Sequence, residues 1–176
     1  VCWGAGALER FEGMFALSYW NDEKQRGLAA RDRLGVKPFV YRHRAHRHGE
    51  GEAREGFAFS FASEAKALLG ELPGRPRAHP DALVEYLAAP FCSGVERPAF
   101  EGLSYLHPGH FLRVHRQGVS THRWFTHALV PDDAARPDEL AESLRAALAR
   151  SVRRTLRADV PVGAFLSGGL DSTGLA

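Results

Sequence analysis

The stretch Phe57-Ala58-Phe59-Ser60-Phe61-Ala62 alternates an aromatic with a small residue at a strict period of two. A helix would scatter those rings around its circumference. A β-strand sends successive side chains to opposite faces, so the pattern predicts a strand with three phenylalanines in a core and three small residues on a face that admits a close neighbour. The preceding residues 11–61 read as a meander that supplies its partners. Met14-Phe15-Ala16-Leu17-Ser18-Tyr19-Trp20 is aromatic and apolar, and Asn21-Asp22-Glu23-Lys24 provides the turn into Gly27-Leu28-Ala29-Ala30-Arg31-Asp32. Gly35 and Lys37-Pro38 break the chain before Phe39-Val40-Tyr41 resumes an extended course.

Residues 42–55 are rich in Arg, His, Gly and Glu and predict a solvated hairpin tip. His43, His46 and His48 lie close together there, without a carboxylate or Cys at ligand spacing, which argues against a metal centre. Arg44, Arg47 and Arg54 lack the interleaved aromatics that stack on nucleic acid. Next, Ser63-Glu64-Ala65-Lys66-Ala67-Leu68-Leu69 predicts a short helix capped by Ser63 and stopped by Gly70. Pro73, Pro76 and Pro80 mark a linker, and a helix resumes over residues 81–87 with Asp81 near its cap. Residues 111–116 and 120–124 predict a hairpin turning through Gln117-Gly118.

Residues 131–137 form a second polar linker. Beyond it Leu140, Leu144, Leu148, Val152 and Leu156 recur every four residues, with Asp138 and Glu139 at the start and Arg150, Arg153, Arg154 and Arg157 at the end, which suits the dipole of an amphipathic helix. Val160-Pro161-Val162-Gly163-Ala164-Phe165-Leu166 reads as a buried strand, so helix, strand, turn and helix would open a new α/β domain.

Composition limits the function classes. With 176 residues, 23 Lys+Arg against 21 Asp+Glu and a net charge of +2, the chain lacks the cationic excess of a protein that tracks nucleic-acid phosphates. No apolar run reaches the ~18–20 residues of a membrane span, and Cys2 and Cys92 form neither a disulfide framework nor a zinc knuckle. The chain therefore reads as cytoplasmic, with no nucleic-acid or membrane partner. It opens on Val1 and closes on Gly174-Leu175-Ala176 inside what reads as a structured segment, as an internal fragment would.

The residues that carry chemistry follow the apolar run directly: Ser167-Gly168-Gly169-Leu170-Asp171-Ser172. A strand feeding paired glycines and small hydroxyls turns backbone N–H groups inward, and a following helix adds the partial positive charge of its N-terminus. Such a loop suits a phosphate. Ser167 and Ser172 can donate hydroxyl hydrogen bonds, Gly168 and Gly169 permit close approach, and Asp171 can hold Mg²⁺ shared with phosphate oxygens. No Lys is present, so this is not a Walker loop. The string resembles the pyrophosphate loop of the ATP pyrophosphatase superfamily.

Four further segments select a branch of that superfamily. Phe11-Glu12-Gly13-Met14-Phe15-Ala16-Leu17, Ala30-Arg31-Asp32-Arg33-Leu34-Gly35-Val36-Lys37-Pro38, Phe61-Ala62-Ser63-Glu64-Ala65-Lys66-Ala67-Leu68 and Asp159-Val160-Pro161-Val162-Gly163 resemble, in order and spacing, the glutamine-hydrolysing asparagine synthetases. The resemblance implies an α+β fold over residues 1–130, the late part of an N-terminal-nucleophile αββα sandwich with glutaminase activity. It implies a linker at 131–137 and, over 138–176, the start of an α/β ATP pyrophosphatase domain.

It also implies ATP and Mg²⁺ as cofactors and glutamine, aspartate and ATP as substrates, and it allows a homodimer. Leu166 would contact ATP through its backbone, Ser167, Gly168, Gly169, Leu170 and Ser172 would hold the pyrophosphate, and Asp171 would hold the metal. Cys2 is not the glutaminase nucleophile, because that residue must be the first of the mature chain while Cys2 follows Val1 and stands just ahead of a segment that lies late in the family's first domain; it reads as a small buried apolar residue. No glutaminase catalytic residue is assigned within these residues. The Arg31-Asp32-Arg33 run predicts an ion-paired structural corner rather than a substrate contact. Two other readings stay open: a related amidotransferase, β-lactam synthetase or peptide cyclase with another carboxylate acceptor, and a non-catalytic glutaminase-like binding module.

Overall fold

The computed structural model describes residues 3–46, 56–88, 97–131 and 136–176. It divides into two units, Val1–His127 and Ala128–Ala176. In the first, β1 (Ala16–Asn21) and β2 (Arg26–Arg31) form the expected antiparallel hairpin. Its loop is held by Lys24 N donating to Asn21 Oδ1 at 2.7 Å and by Gln25 Nε2 donating to Asp22 Oδ1 at 2.8 Å. β3 (Val40–His46) pairs with β4 (Gly56–Ala62) and with the short β5 (Ser104–Tyr105). β6 (His110–His115) and β7 (Gly118–Arg123) form the last hairpin.

Two antiparallel sheets result, ordered β1-β2-β6-β7 and β4-β3-β5. Period-two alternation decides what each strand gives to which layer. Ala29, Leu112 and Val114 from the first sheet meet Phe39, Tyr41, Phe57 and Phe59 at the second, so the sheets pack face to face around one apolar centre. Leu112 has no exposed surface, which stabilises the fold by about 1.5–3 kcal/mol relative to leaving it in water. Their alternate neighbours point outward. Ala30 and Phe111 pack with Leu8 of a 3-10 helix (Gly4–Arg10) on the outside of the first sheet. Val40 packs with Leu68 and Leu72, of and just after a second 3-10 helix (Ala65–Glu71), on the outside of the other. This mixed architecture of antiparallel sheets with helical cover agrees with the first half of the expected fold.

Phe57 and Phe59 enter the inter-sheet core as the alternation requires, whereas Phe61 is about half exposed and stacks on Phe39 at 5.3 Å. Other expectations need correction. The short helix expected from Ser63 is a 3-10 helix whose N-cap is Glu64 rather than Ser63, with no side-chain cap, and it runs through Gly70 to Glu71 instead of stopping there, since a backbone free to take helical angles does not by itself end so short a helix. Residues 42–46 belong to β3 rather than to a solvated tip. Pairing with β4 extends the strand, and Arg42 lies 9% exposed opposite Ser60. The last hairpin turns through Arg116-Gln117, since Gly118 already pairs with His115. Pro80 does not lie before a helix but starts α1 (Pro80–Ala88), where its missing N–H has no intrahelical acceptor to lose.

In the second unit, α2 (Pro137–Thr155) and α3 (Leu170–Leu175) are helical. The strand expected over residues 160–166 does not form: those residues carry no regular secondary structure, and Val160, Val162, Phe165 and Leu166 are exposed. A strand satisfies its backbone only through a neighbouring strand, and no described residue supplies one. Cys2, Cys92, His48, Arg47 and Arg54 lie outside the described residues, as do residues 132–135 of the expected linker. No helix among the described residues is long and apolar enough to cross a membrane.

Candidate functional site

Two places gather the polar groups singled out by the sequence. One is the corner that follows β2. Asp32, 2% exposed, accepts backbone N–H bonds from Phe15 (3.2 Å), Leu34 (3.1 Å), Val36 (2.9 Å) and Lys37 (3.0 Å). Burial by itself would push its carboxyl up; the four N–H donors outweigh burial and hold it below the ordinary carboxylate value.

Arg31 donates from Nε to the Lys37 carbonyl (2.7 Å), from Nη1 to that of Leu106 (2.8 Å) and from Nη2 to that of Gly35 (2.6 Å). Burial pulls its pKa down, against the opposing charges of Asp32 and Tyr105. The expected ion pair is therefore replaced: the two side chains clamp backbone donors and acceptors of the same corner instead of each other. Gly35 completes it at φ +67°, where a Cβ would stand 2.7 Å from Pro108 Cγ. Arg33 turns to the other side and lies over the Phe125 ring at 5.0 Å while donating to the Glu9 carbonyl. The run is structural, since Arg31 and Asp32 use their polar groups on this corner, while Arg33 Nε is buried without a hydrogen-bond partner.

The other place is the loop in the second unit. Gly168 sits at φ +79° with nothing within 4 Å of where a Cβ would lie, so glycine is required there by backbone conformation and the space above it is open. Gly169 is extended and acts as N-cap of α3, without a side-chain cap. The hydroxyls do not project freely. Ser167 Oγ and Ser172 Oγ are 3.0 Å apart, Ser172 Oγ donates to the Gly169 carbonyl at 3.2 Å, and Gly169 N donates to Ser167 Oγ at 3.4 Å. The first-turn N–H groups of α3, at Leu170, Asp171 and Ser172, have no intrahelical acceptor. Asp171 is exposed beside them, and its carboxylate oxygens are hard donors of the type Mg²⁺ takes. Leu166 precedes the loop and is exposed.

The six residues of the motif thus run from a turn at 167–169 into the first turn of α3, tied by hydroxyl bonds among Ser167, Gly169 and Ser172 that the sequence did not announce. Sequence reasoning also missed the burial of Arg42, whose Nη1 has no hydrogen-bond partner; a charged residue in a polar run carries no local signal of burial. His43, on the same strand, is exposed and stacks near Tyr41 at 6.4 Å.

The family model described as glutamine amidotransferase domain matches residues 1–125, and the one described as asparagine synthase matches residues 143–176. Among curated proteins, the chain is 33% identical to glutamine-hydrolyzing asparagine synthetase 3 of Bacillus subtilis, over 98% of this chain and 26% of that protein. It is 31% identical to glutamine-hydrolyzing asparagine synthetase 2 of the same organism, over 98% and 23%. It is 29% identical to amidase chry2 of Gibberella zeae, over 99% and 24%. The chain spans about a quarter of the length of these relatives. With the first match covering most of its length, the chain belongs to the glutamine amidotransferase domain family.

Proposed function

We propose that this chain is part of an ATP-dependent ligase that adenylates the β-carboxylate of aspartate and transfers to it ammonia released from glutamine. The observation that supports this is the 167–172 loop: a left-handed Gly168 with open space above it, next to first-turn N–H groups that have no acceptor. In this reading a carboxylate oxygen of aspartate attacks the α-phosphorus of ATP, the bond to the pyrophosphate breaks, and ammonia then displaces AMP from the acyl carbon. The N–H groups at the start of α3 bind the departing pyrophosphate, together with Gly168 and Gly169. The Ser167 and Ser172 hydroxyls exchange their mutual bond for phosphate oxygens, Leu166 meets ATP through its backbone, and Asp171 holds Mg²⁺. When bound, that ion neutralises charge on the phosphate oxygens. The contribution of these residues is orientation and charge stabilisation.

The test uses the complete polypeptide. Pyrophosphate release from ATP should require aspartate, and Asp171→Ala should lower kcat by at least about a hundredfold. Release driven by another carboxylate and not by aspartate would overturn the acceptor assignment. A different carboxylate acceptor is the alternative reading; the chain is about as similar to a protein named an amidase as to one named an asparagine synthetase.

A further inference from the structure

The hydroxyl bonds of the 167–172 loop have a direction, and counting protons fixes it. A serine hydroxyl has one proton to give. That of Ser172 goes to the Gly169 carbonyl at 3.2 Å, so the 3.0 Å contact between the two hydroxyls carries the proton of Ser167 to Ser172 Oγ. Ser167 Oγ in turn accepts from Gly169 N at 3.4 Å. The three bonds therefore run one way round a closed ring, from Gly169 N–H to Ser167 to Ser172 to the Gly169 carbonyl, and the ring begins and ends on one residue. Bonds in such a series polarise and strengthen one another. Gly169 is held extended within it at φ −77° and ψ 165°. Both hydroxyl protons are committed, although Ser167 is exposed and Ser172 only half-buried.

We propose that this ring is a latch on the loop, with Ser172 as its catch, and that it opens as a unit. The inference rests on the reading of the loop as a pyrophosphate site and adds to it how that site is regulated. Ser172 holds the ring twice, as acceptor for Ser167 and as donor to Gly169, so releasing it leaves Ser167 without an acceptor and weakens the bond from the Gly169 N–H behind it. An anion that takes a single donor leaves the rest of the ring weakened and uncompensated. One with two phosphoryl groups can take both hydroxyls and the Gly169 N–H together, replacing neutral hydrogen bonds with charge-assisted ones that are roughly twice as strong. The latch therefore yields to a diphosphate and resists a single phosphate. Gly168, left-handed beneath open space, leaves room for the exchange beside the ring.

Ser172 makes no bond to the Gly169 N–H, so an effect of one on the other must pass through Ser167. In the complete polypeptide without nucleotide, solvent exchange of the Gly169 amide, followed by NMR, should quicken at least about threefold in Ser172→Ala as well as in Ser167→Ala. Ser172→Thr, which keeps the hydroxyl, should return it to the slow rate. Pyrophosphate should bind Ser172→Ala at least about tenfold more weakly than wild type, whereas orthophosphate should bind both equally. Exchange at Gly169 that responds to Ser167→Ala alone, or equal losses for the two anions, would overturn the proposal. Exchange coupled through Ser172 in a protein that binds neither anion would support the ring and overturn the pyrophosphate reading instead.

Discussion

Within Val1–His127, Ala29, Ala30 and Leu112 are completely buried, and three apolar clusters fill the layers between and outside two sheets. Within Ala128–Ala176 no described residue is buried, and Phe165 stands fully in solvent. Both stretches carry strong apolar patterns, so pattern alone does not explain the difference. A helix closes its hydrogen bonds within itself, which is why α2 forms with its leucine stripe uncovered; a strand closes them only against another strand, which is why residues 160–166 stay irregular. Apolar periodicity reports what a segment can become, and the partner decides whether it does.

Five substitutions and one titration sharpen this contrast. The largest effect is expected at Asp32, where replacement by Ala strips the acceptor from four backbone donors of one corner and should cost about 4 kcal/mol, read from urea unfolding by Trp124 fluorescence. Its carboxyl is held below the ordinary value, so the stabilisation is full above the unfolded Asp pKa of about 3.9 and is lost as pH falls through the lower folded value. An acid titration of wild type against Asp32→Asn should therefore converge only in strong acid; convergence near neutral pH would contradict the clamp. Next come two leucines as a matched pair. Leu112→Ala should cost about 3 kcal/mol, while Leu144→Ala on the uncovered face of α2 should change the stability of this chain by less than about 0.5 kcal/mol. Equal costs would break the comparison. The smallest expected difference concerns two left-handed glycines. Gly35→Ala meets Pro108 and should cost about 2–3 kcal/mol, whereas Gly168→Ala meets open space and should cost about 1 kcal/mol of backbone strain alone.

The strands of the first unit were legible because alternation is local: Phe57, Phe59 and the run from Met14 to Trp20 announce their periodicity within a few residues. The Ser-Gly-Gly-Leu-Asp-Ser turn was legible as a string for the same reason. The role of Asp32 was legible only in outline. A charge beside Arg31 suggests an ion pair, but the acceptors of Arg31 include the Leu106 carbonyl, seventy-five residues away, and no local pattern encodes that. The burial of Arg42 was hidden for a related reason, since it depends on the β3–β4 register and on the cover provided by residues 65–71. The strand misread at 160–166 shows the converse: its local signal was strong, and no described residue pairs with it.

The strand order of the first sheet also bears on how the chain is made. β2 takes its inner neighbour from β6, so Ala29 finds Leu112 only after some eighty further residues have been synthesised. At about 5–20 residues per second on the ribosome, the inner edge of the first hairpin waits several seconds for its partner. During that interval an unpaired, aromatic-rich hairpin is open to pairing with other nascent chains, and the long loop that must close makes its completion a slow, non-local step. Folding yield should accordingly depend on chain concentration and on translation speed more steeply for this sheet than for the β3–β4 hairpin, whose two strands follow one another directly in sequence.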